Sequence, residues 1–203
     1  MIRLNADYLD RVLTGETDLP ARRTGPCALA LGSFDGLHLG HRALVSAVRA
    51  AKARGRLANT VLFTFRDHPR LVLGGATGPF LLTTWREKLS LLEQLGIDVV
   101  VAIDFSASLA RLEYHVFVQR FLTDWLGMKH LVAGHDVHLG AGRKGDAAAL
   151  SALADELGFA FELLPATLWN DQVVSSSSGR NALAAGDCHT ASGMLGRPYA
   201  VWG

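Results

Sequence analysis

The sequence contains few cysteines and no excess of either charge. Its two cysteines, Cys27 and Cys188, lie far apart and in no metal-ligand spacing. A disulfide scaffold or a zinc knuckle is therefore disfavoured, and a reducing compartment is favoured. The 20 lysines and arginines are nearly matched by 19 aspartates and glutamates, which leaves no net positive field for a nucleic-acid backbone. We therefore expect no nucleic-acid partner.

Long apolar runs are also lacking. The most apolar strand-like segment, 97–103, already contains Asp98, so we expect no membrane-spanning segment and no membrane partner. The first eleven residues include acidic side chains and no apolar stretch, which argues against a secretory signal. With 49% hydrophobic residues in 203, the chain is predicted to be a cytoplasmic globular protein with a small-molecule site.

Short apolar runs alternate with amphipathic segments along the chain. Predicted strands cover 27–31, 60–65, 97–103, 130–133 and 159–164. One predicted helix ends at Gly55, and the next begins with Thr83 or Thr84 as its cap and ends at Gly96. Two more helices are predicted over 113–126 and 146–157, and two short helices are predicted at the C-terminal end. This alternation predicts an α/β fold with a parallel sheet and helices on both faces, and ligands beyond the carboxyl ends of its strands.

The whole chain, 1–203, is predicted to form a single domain. Residues 1–26 carry a weaker pattern and are expected to be a lead-in, with an exposed linker over 17–26. No feature of the sequence predicts an oligomeric state.

A glycine- and histidine-rich segment, 32–41, joins the first predicted strand to a helix. Gly32, Gly36 and Gly40 allow tight turns and close approach of a ligand to the backbone. The free N–H groups and the positive dipole end of the helix suit a phosphate. His38 and His41 are three residues apart, so they project from one helix face and can donate hydrogen bonds to phosphoryl oxygens. The alternative is an ordinary turn with two surface histidines.

The serine tract 175–178 is followed by Arg180. At a strand-to-helix junction, serine hydroxyls and backbone N–H groups bind phosphates, and an arginine neutralises their charge. A flexible serine linker is the alternative.

The end of the second predicted strand carries a mostly apolar group of residues with one arginine: Phe63, Phe65, His68, Pro69 and Arg70. Such a wall suits a planar ring together with a phosphate. Phe63 and Phe65 alternate with Leu62 and Thr64 along the strand, and at least one of the two phenylalanines can instead be an ordinary core residue. His68 can equally pack within the turn that its neighbouring proline fixes.

Asp136 follows the fourth predicted strand, where a carboxylate can help to hold Mg²⁺ directly or through water. Spacing alone leaves open that it merely caps a turn. Arg143 and Lys144 are, on spacing alone, a solvated pair.

These motifs, in this order, resemble the FMN adenylyltransferase module of bacterial FAD synthetases, which are HxGH-type nucleotidyltransferases with a Rossmann-like fold. Residues 32–41 match G-[NS]-F-D-G-x-H-x-G-H. The other segments that resemble family motifs are 65–70, 82–88, 134–146, 174–180 and 196–199. Several motifs in one order are far more specific than any one of them.

The resemblance implies transfer of AMP from ATP to FMN, with Mg²⁺, giving FAD and pyrophosphate. It implies catalytic roles for His38, His41 and Arg180, and a metal role for Asp136. The residues implied in ATP binding are Gly32, Ser33, Phe34, Asp35, Gly36, Gly40, Ser175, Ser176 and Ser177. Those implied in flavin binding are Phe63, Phe65, His68, Pro69, Arg70 and Arg143.

Some positions depart from the family pattern. The aromatic pair of D-F-x-F-G is replaced by Val137 and Leu139, a proline by Asp67, and a threonine by Ser177. The sequence has no P-T-A-N motif, so we expect no riboflavin kinase domain in it. These departures leave two alternatives open: transfer of AMP to a different phosphorylated acceptor, or binding of a flavin or nucleotide without turnover.

Overall fold

A six-stranded, all-parallel sheet forms the centre of the computed structural model, which describes residues 1–21, 24–72, 74 and 81–201. Within these residues the strand order is β1-β4-β3-β2-β5-β6. The strands are β1 (Ile2–Leu4), β2 (Cys27–Gly32), β3 (Asn59–Phe65), β4 (Val99–Ile103), β5 (Met128–Gly134) and β6 (Ala160–Leu164). A separate antiparallel hairpin pairs β7 (Leu168–Trp169) with β8 (Gln172–Val173). The predicted parallel α/β fold is confirmed.

The helices connect these strands and cover the sheet. They are α1 (Ala6–Leu13), α2 (Leu39–Gly55), α3 (Pro69–Val72), α4 (Trp85–Gln94), α5 (Ala107–Ala110), α6 (Tyr114–Phe117), α7 (Ala147–Leu157), α8 (Ser176–Ala184) and α9 (Cys188–Leu195). A π-helical segment, Val118–Trp125, continues α6, and a short 3₁₀ turn covers Ala141–Arg143. Among the described residues, no helix combines the length and the hydropathy that a bilayer span requires.

The central strands are buried on both faces, which explains their nearly continuous apolar sequences. In β3, Val61 and Phe63 pack into one core layer and Leu62 packs into the other. In β2, Leu29 belongs to the first layer and Ala28 to the second. The small alanines on that second face allow α2 to lie close to the sheet. Val45 and Val48 of α2 complete this layer, and their side chains are almost fully buried.

The strands of this parallel sheet are added first on one side of β2 and then on the other. From β2 the chain continues to β3 and β4 on one side, and later to β5 and β6 on the other. Such a change of side opens a crevice at the carboxyl ends of the two strands beside it, here β2 and β5. The segments after Gly32 and Gly134 therefore lie at the edge where this fold binds ligands.

The helix predictions are confirmed in position, with one difference in type. Thr84 caps α4 in a capping box: its hydroxyl oxygen accepts a hydrogen bond from the Glu87 N–H, and the Glu87 carboxylate accepts one from the Thr84 N–H. The predicted helix 113–126 is α-helical only over its first turn and π-helical afterwards. The Thr123 hydroxyl donates a hydrogen bond to the carbonyl of Val118, five residues earlier, which matches the wider π-helical turn.

The prediction for residues 1–26 was wrong in two respects. The segment contains β1, which adds a parallel edge strand next to β4, and the amphipathic helix α1. The supposed exposed linker is also partly buried: the Thr24 hydroxyl donates to the carbonyl of Leu126, and the indole N–H of Trp125 donates to the carbonyl of Pro20. These partners lie about a hundred residues away in sequence, so no local pattern could reveal them.

Candidate functional site

A cavity of about 650 Å³ opens at the carboxyl edge of the sheet. It is lined from several sides by the segments that follow β2, β3, β4, β5 and β6, and by the start of α8. The polar lining residues include Ser33, His38, His41, His68, Asp136, Arg143, Ser175 and Ser176. The apolar ones include Phe65, Phe105, Leu109, Leu112, Val137 and Leu139. Segments that are distant in sequence thus share one ligand-sized space.

The two motif histidines lie face to face at the start of α2. His38 is the N-cap of this helix, and its ring Nδ1 accepts a hydrogen bond of 3.3 Å from the backbone N–H of His41. The rings stack with centroids 3.6 Å apart and planes 18° apart. Since Nδ1 of His38 is an acceptor, the neutral ring carries its hydrogen on Nε2, which makes Nε2 a donor.

Both histidines are neutral near pH 7. Burial lowers the pKa of His38 to about 4, although the negative charge of Asp136 opposes this change. Burial also lowers the pKa of His41 well below its usual value, with a further contribution from the positive charge of Lys88. The ring Nδ1 of His41 is buried and has no hydrogen-bond partner among the described residues. A buried polar atom of this kind is expected to meet a ligand or water.

The backbone between β2 and α2 is bent sharply around these rings. Phe34 and Leu37 adopt φ values of +48° and +42°, and Gly36 adopts +79°. A non-glycine residue in the left-handed region costs on the order of 1–3 kcal/mol. At Gly36 a side chain would also collide, because a Cβ there would lie 2.8 Å from Leu82 Cδ1. This loop therefore depends on contacts that fix it from behind.

Asp35 provides most of these contacts. Its side chain is 1% exposed. One carboxylate oxygen accepts hydrogen bonds from the N–H groups of Leu82 (2.8 Å) and Thr83 (3.2 Å), and the other pairs with the Arg180 guanidinium at 2.7 Å. Burial raises the pKa of Asp35, but the Leu82 N–H and the charge of Arg180 oppose the rise. With donors on both oxygens, the group is an ionised carboxylate.

Two predicted ATP contacts and one predicted catalytic residue are therefore not part of the lining. Asp35 and Gly36 belong to the loop but are not among its cavity-lining residues, and the Arg180 guanidinium is paired with the Asp35 carboxylate. Gly36 instead contributes its carbonyl to a 2.8 Å hydrogen bond from Arg197. None of these three residues is among those that line the cavity, and their direct contact with a ligand stays a prediction.

The remaining loop residues of the prediction do line the cavity. These are Gly32, Ser33, Phe34, His38, Gly40 and His41. Phe34 is fully buried and its ring lies 4.9 Å from that of His41, so its ring packs against the imidazole pair.

The serine segment reaches the same cavity from the other side. Ser175 is the N-cap of α8, and its hydroxyl oxygen accepts a 3.0 Å hydrogen bond from the N–H of Ser178. The Ser176 hydroxyl donates to the backbone carbonyl of Asp35 at 2.9 Å. Ser175 and Ser176 belong to the described lining, whereas Ser177 is exposed outside it. A direct hydrogen bond therefore joins the first residue of α8 to the loop that precedes α2, and both segments line one cavity.

The two phenylalanines predicted to contact the flavin lie in different surroundings, Phe65 at the cavity and Phe63 in the core. Phe65 is half-buried, lines the cavity and packs edge-to-face with Phe105 at 5.3 Å. Phe63 is fully buried, packs against Phe117 at 5.4 Å and is not among the lining residues, which matches the alternative that one phenylalanine belongs to the core. His68 and Pro69 also line the cavity. The side chain of Arg70 lies outside the described part of the structure.

Sequence analysis missed the part of this wall that follows β4. Phe105, Leu109, Ala110 and Leu112 line the cavity from this segment. Phe105 comes two residues after β4 ends at Ile103. The rule that ligands bind beyond the carboxyl ends of parallel strands could therefore have indicated it.

Asp136 and Arg143 are exposed and line the cavity near the end of β5. Among the described residues, no group of three or more histidine, cysteine, aspartate or glutamate side chains could hold a metal ion. One carboxylate nevertheless fits Mg²⁺ bound with a nucleotide, because this ion commonly takes one or two carboxylates together with phosphate oxygens and water. The metal role of Asp136 stays a prediction.

The fold and cavity define a Rossmann-like α/β protein whose glycine- and histidine-rich loop begins a helix at the switch point of the sheet. The family model for FAD synthetase matches residues 21–178, and the chain belongs to this family.

Two curated relatives are described as bifunctional riboflavin kinase/FMN adenylyltransferase. The Haemophilus influenzae protein is 34% identical over 177 residues, which cover 87% of this chain and 57% of the relative. The Escherichia coli K12 protein is 33% identical over 177 residues, covering 87% and 56%. This chain thus spans little more than half the length of these relatives.

Two solved structures share the fold. A Streptococcus pneumoniae protein described as a macrolide-efflux protein has a TM-score of 0.78 at 24% identity, covering 98% of this chain and 61% of that one. Pantoate-beta-alanine ligase from Francisella tularensis, complexed with beta-gamma ATP and beta-alanine, has a TM-score of 0.54 at 11% identity, covering 89% and 73%. At these identities the likeness concerns the fold alone.

Proposed function

We propose that this chain is an FMN adenylyltransferase, which transfers AMP from ATP to FMN and releases pyrophosphate. The observation that supports this most directly is the composition of one cavity. The histidine loop and the start of α8 bring phosphate-binding chemistry to it, and Phe65 and Phe105 bring a flat aromatic wall. Membership of the FAD synthetase family points to the same pair of substrates.

In this reaction an oxygen of the FMN phosphate attacks the α-phosphorus of ATP in line. A new P–O bond forms, the bond from the α-phosphorus to the bridging oxygen breaks, and the electron pair leaves with pyrophosphate. The attacking oxygen is already an anion, so no side-chain nucleophile is required. Catalysis then depends on positioning and on stabilising charge at the phosphoryl oxygens.

The neutral histidines act here as hydrogen-bond donors. The Nε2–H of His38 is available to a phosphoryl oxygen, since Nδ1 is occupied by the His41 N–H. The unpartnered Nδ1 of His41 is available to a ligand or to water within the same site. The N-terminal dipoles of α2 and α8 and the Ser175 and Ser176 groups bind the polyphosphate.

Arg180 acts in this proposal through Asp35, because the ion pair between them fixes the loop and α8 together. Mg²⁺, when bound with ATP, would be held by Asp136 and would neutralise phosphate charge.

The isoalloxazine ring is proposed to lie on the wall of Phe65 and Phe105, with His68, Pro69 and Arg143 around it. Val137 also lines this side, where the family pattern has an aromatic residue, and this favours transfer to another phosphorylated acceptor as the second candidate. We further propose that residues 1–203 act as one nucleotidyltransferase domain, in the cytoplasm.

The test is incubation of the purified protein with ATP, Mg²⁺ and FMN, followed by chromatographic separation of FAD and assay of pyrophosphate. We expect equimolar FAD and pyrophosphate. Parallel reactions replace FMN by riboflavin, which lacks the phosphate, or by phosphorylated acceptors without a flavin. Pyrophosphate formed only with a non-flavin acceptor favours the second candidate. Nucleotide binding with no pyrophosphate from any acceptor contradicts both.

A further inference from the structure

A buried ammonium group lies directly behind the histidine loop. Lys88, on α4, is 5% exposed, and its Nζ donates a 2.7 Å hydrogen bond to the backbone carbonyl of Ser33. The Thr64 hydroxyl donates to the same carbonyl at 3.2 Å. Lysine is almost never this deeply buried unless it is paired. Ser33 itself lines the cavity, whereas Lys88 lies one layer behind it.

The charges behind the loop do not cancel. Asp35 is the carboxylate there, and it forms its ion pair of 2.7 Å with Arg180. Lys88 donates instead to a neutral carbonyl. Asp35, Arg180 and Lys88 together carry one positive charge. Arg197, whose guanidinium donates to the Gly36 carbonyl, adds a further cation next to the loop.

The histidines cannot supply that charge themselves. Burial keeps the pKa values of His38 and His41 below the usual value, so both rings are neutral near pH 7. The pKa of Lys88 is also lowered by burial, to about 8, and its side chain is mostly protonated at neutral pH. A nucleoside triphosphate carries several negative charges, and a buried cation one layer away is screened less by solvent than an exposed one and attracts them.

We propose that Lys88 is a positioning residue for the nucleotide: it fixes the Ser33 carbonyl, and its buried charge draws the phosphates into the cavity. This proposal for Lys88 rests on the proposed function in one respect, namely that the ligand of the cavity is a nucleoside phosphate. The contribution acts through the loop and through space, with no contact between Lys88 and the ligand. Its size should therefore increase with the number of phosphates on the ligand.

The test compares binding of adenosine, AMP, ADP, ATP and inorganic triphosphate by calorimetry, without FMN or turnover. Lys88→Met should weaken ATP and triphosphate binding about tenfold, AMP binding less, and adenosine binding by less than about twofold. Lys88→Arg keeps the charge and should restore most of the ATP affinity. Lys88→Gln keeps a hydrogen-bond donor for Ser33 but no charge, and should resemble Lys88→Met.

Arg86→Met is the matched control, since Arg86 is an exposed cation on the same helix, and it should leave the series unchanged. An equal loss for adenosine and ATP would show a purely structural role for Lys88 and overturn the proposal, as would no loss at all. If Lys88→Met fails to fold, as judged by circular dichroism, Lys88→Gln decides. If the wild-type protein binds ATP but makes no FAD, the proposed function is wrong, whereas the comparison of ligand binding among the Lys88 variants still tests the role of Lys88.

Discussion

The two sides of the cavity are built by different interactions. On the histidine-loop side, Asp35 is 1% exposed and is bonded to groups on the 82–83 segment and on α8. On the opposite wall, Phe65 and Phe105 are half-buried and meet edge-to-face at 5.3 Å. One side is thus a network of buried charges, and the other is a set of apolar surfaces.

This difference predicts different tolerance to substitution. Removing one member of a buried polar network leaves its partners buried without a hydrogen-bond or charge partner, so the free energy of unfolding falls by a large amount. An apolar wall accepts replacements of similar volume at small cost. Two of the altered positions, Val137 and Leu139, belong to the apolar side, whereas Ser177 on α8 is a change on the polar side that keeps the hydroxyl.

The largest effect on the polar side is expected from His41→Ala. Loss of this ring should reduce kcat by about 10²- to 10³-fold, as when one transition-state hydrogen bond is removed. The Kd for ATP should change less, because the helix N-termini remain. Steady-state kinetics and calorimetry measure the two quantities. His115→Ala, an exposed histidine outside the cavity lining, should leave both unchanged. Unaltered turnover in His41→Ala would remove the loop from the mechanism.

Asp35→Asn should lower the free energy of unfolding by about 3 kcal/mol, because the Arg180 guanidinium loses the buried carboxylate with which it is paired. Glu16→Gln disrupts the exposed pair with Arg11, in which the charged atoms are 3.7 Å apart, and should cost less than about 1 kcal/mol. Urea unfolding of both variants gives the comparison. Equal losses in the two variants would contradict the distinction between a buried network and a surface ion pair.

Stability should also depend on pH through His38. Its pKa is about 4 in the folded protein and about 6.5 in the unfolded chain. The unfolded state therefore binds the proton more readily, and stability is full above pH 6.5 and falls as the pH drops towards 4. The gap corresponds to about 3 kcal/mol at most. Urea unfolding at several pH values should show a shallower decline in His38→Asn; identical slopes would exclude this origin.

The smallest effect is expected on the apolar wall. Phe65→Leu should weaken FMN binding by about fivefold, since an aromatic contact is worth on the order of 1 kcal/mol, and should leave ATP binding unchanged. Quenching of flavin fluorescence measures the first and calorimetry the second. Phe161→Leu makes the same change at a half-buried site outside the lining and serves as the control. A larger loss for ATP than for FMN would place the flavin elsewhere.

Much of the fold followed from local patterns. The apolar run of β3 and the capping pair of Thr84 and Glu87 are features of neighbouring residues, and the structure contains both. The rule for parallel sheets then placed the segments after β2 and β5 at one edge, where the cavity lies. The short strand β1 escaped prediction because three residues give too little periodicity, and pairing with β4 is what stabilises it.

The sequence by itself determined the elements, the parallel sheet and the edge that carries the glycine- and histidine-rich loop, because periodicity, caps and turn residues act over a few neighbouring positions. Only the tertiary structure decided which side chains face the cavity. Asp35 and Arg180 are 145 residues apart and meet as an ion pair, and neither is among the residues that line the cavity. Phe63 and Phe65 differ by two positions, yet only the second lines the cavity. The reason is that burial depends on what distant segments pack against each residue.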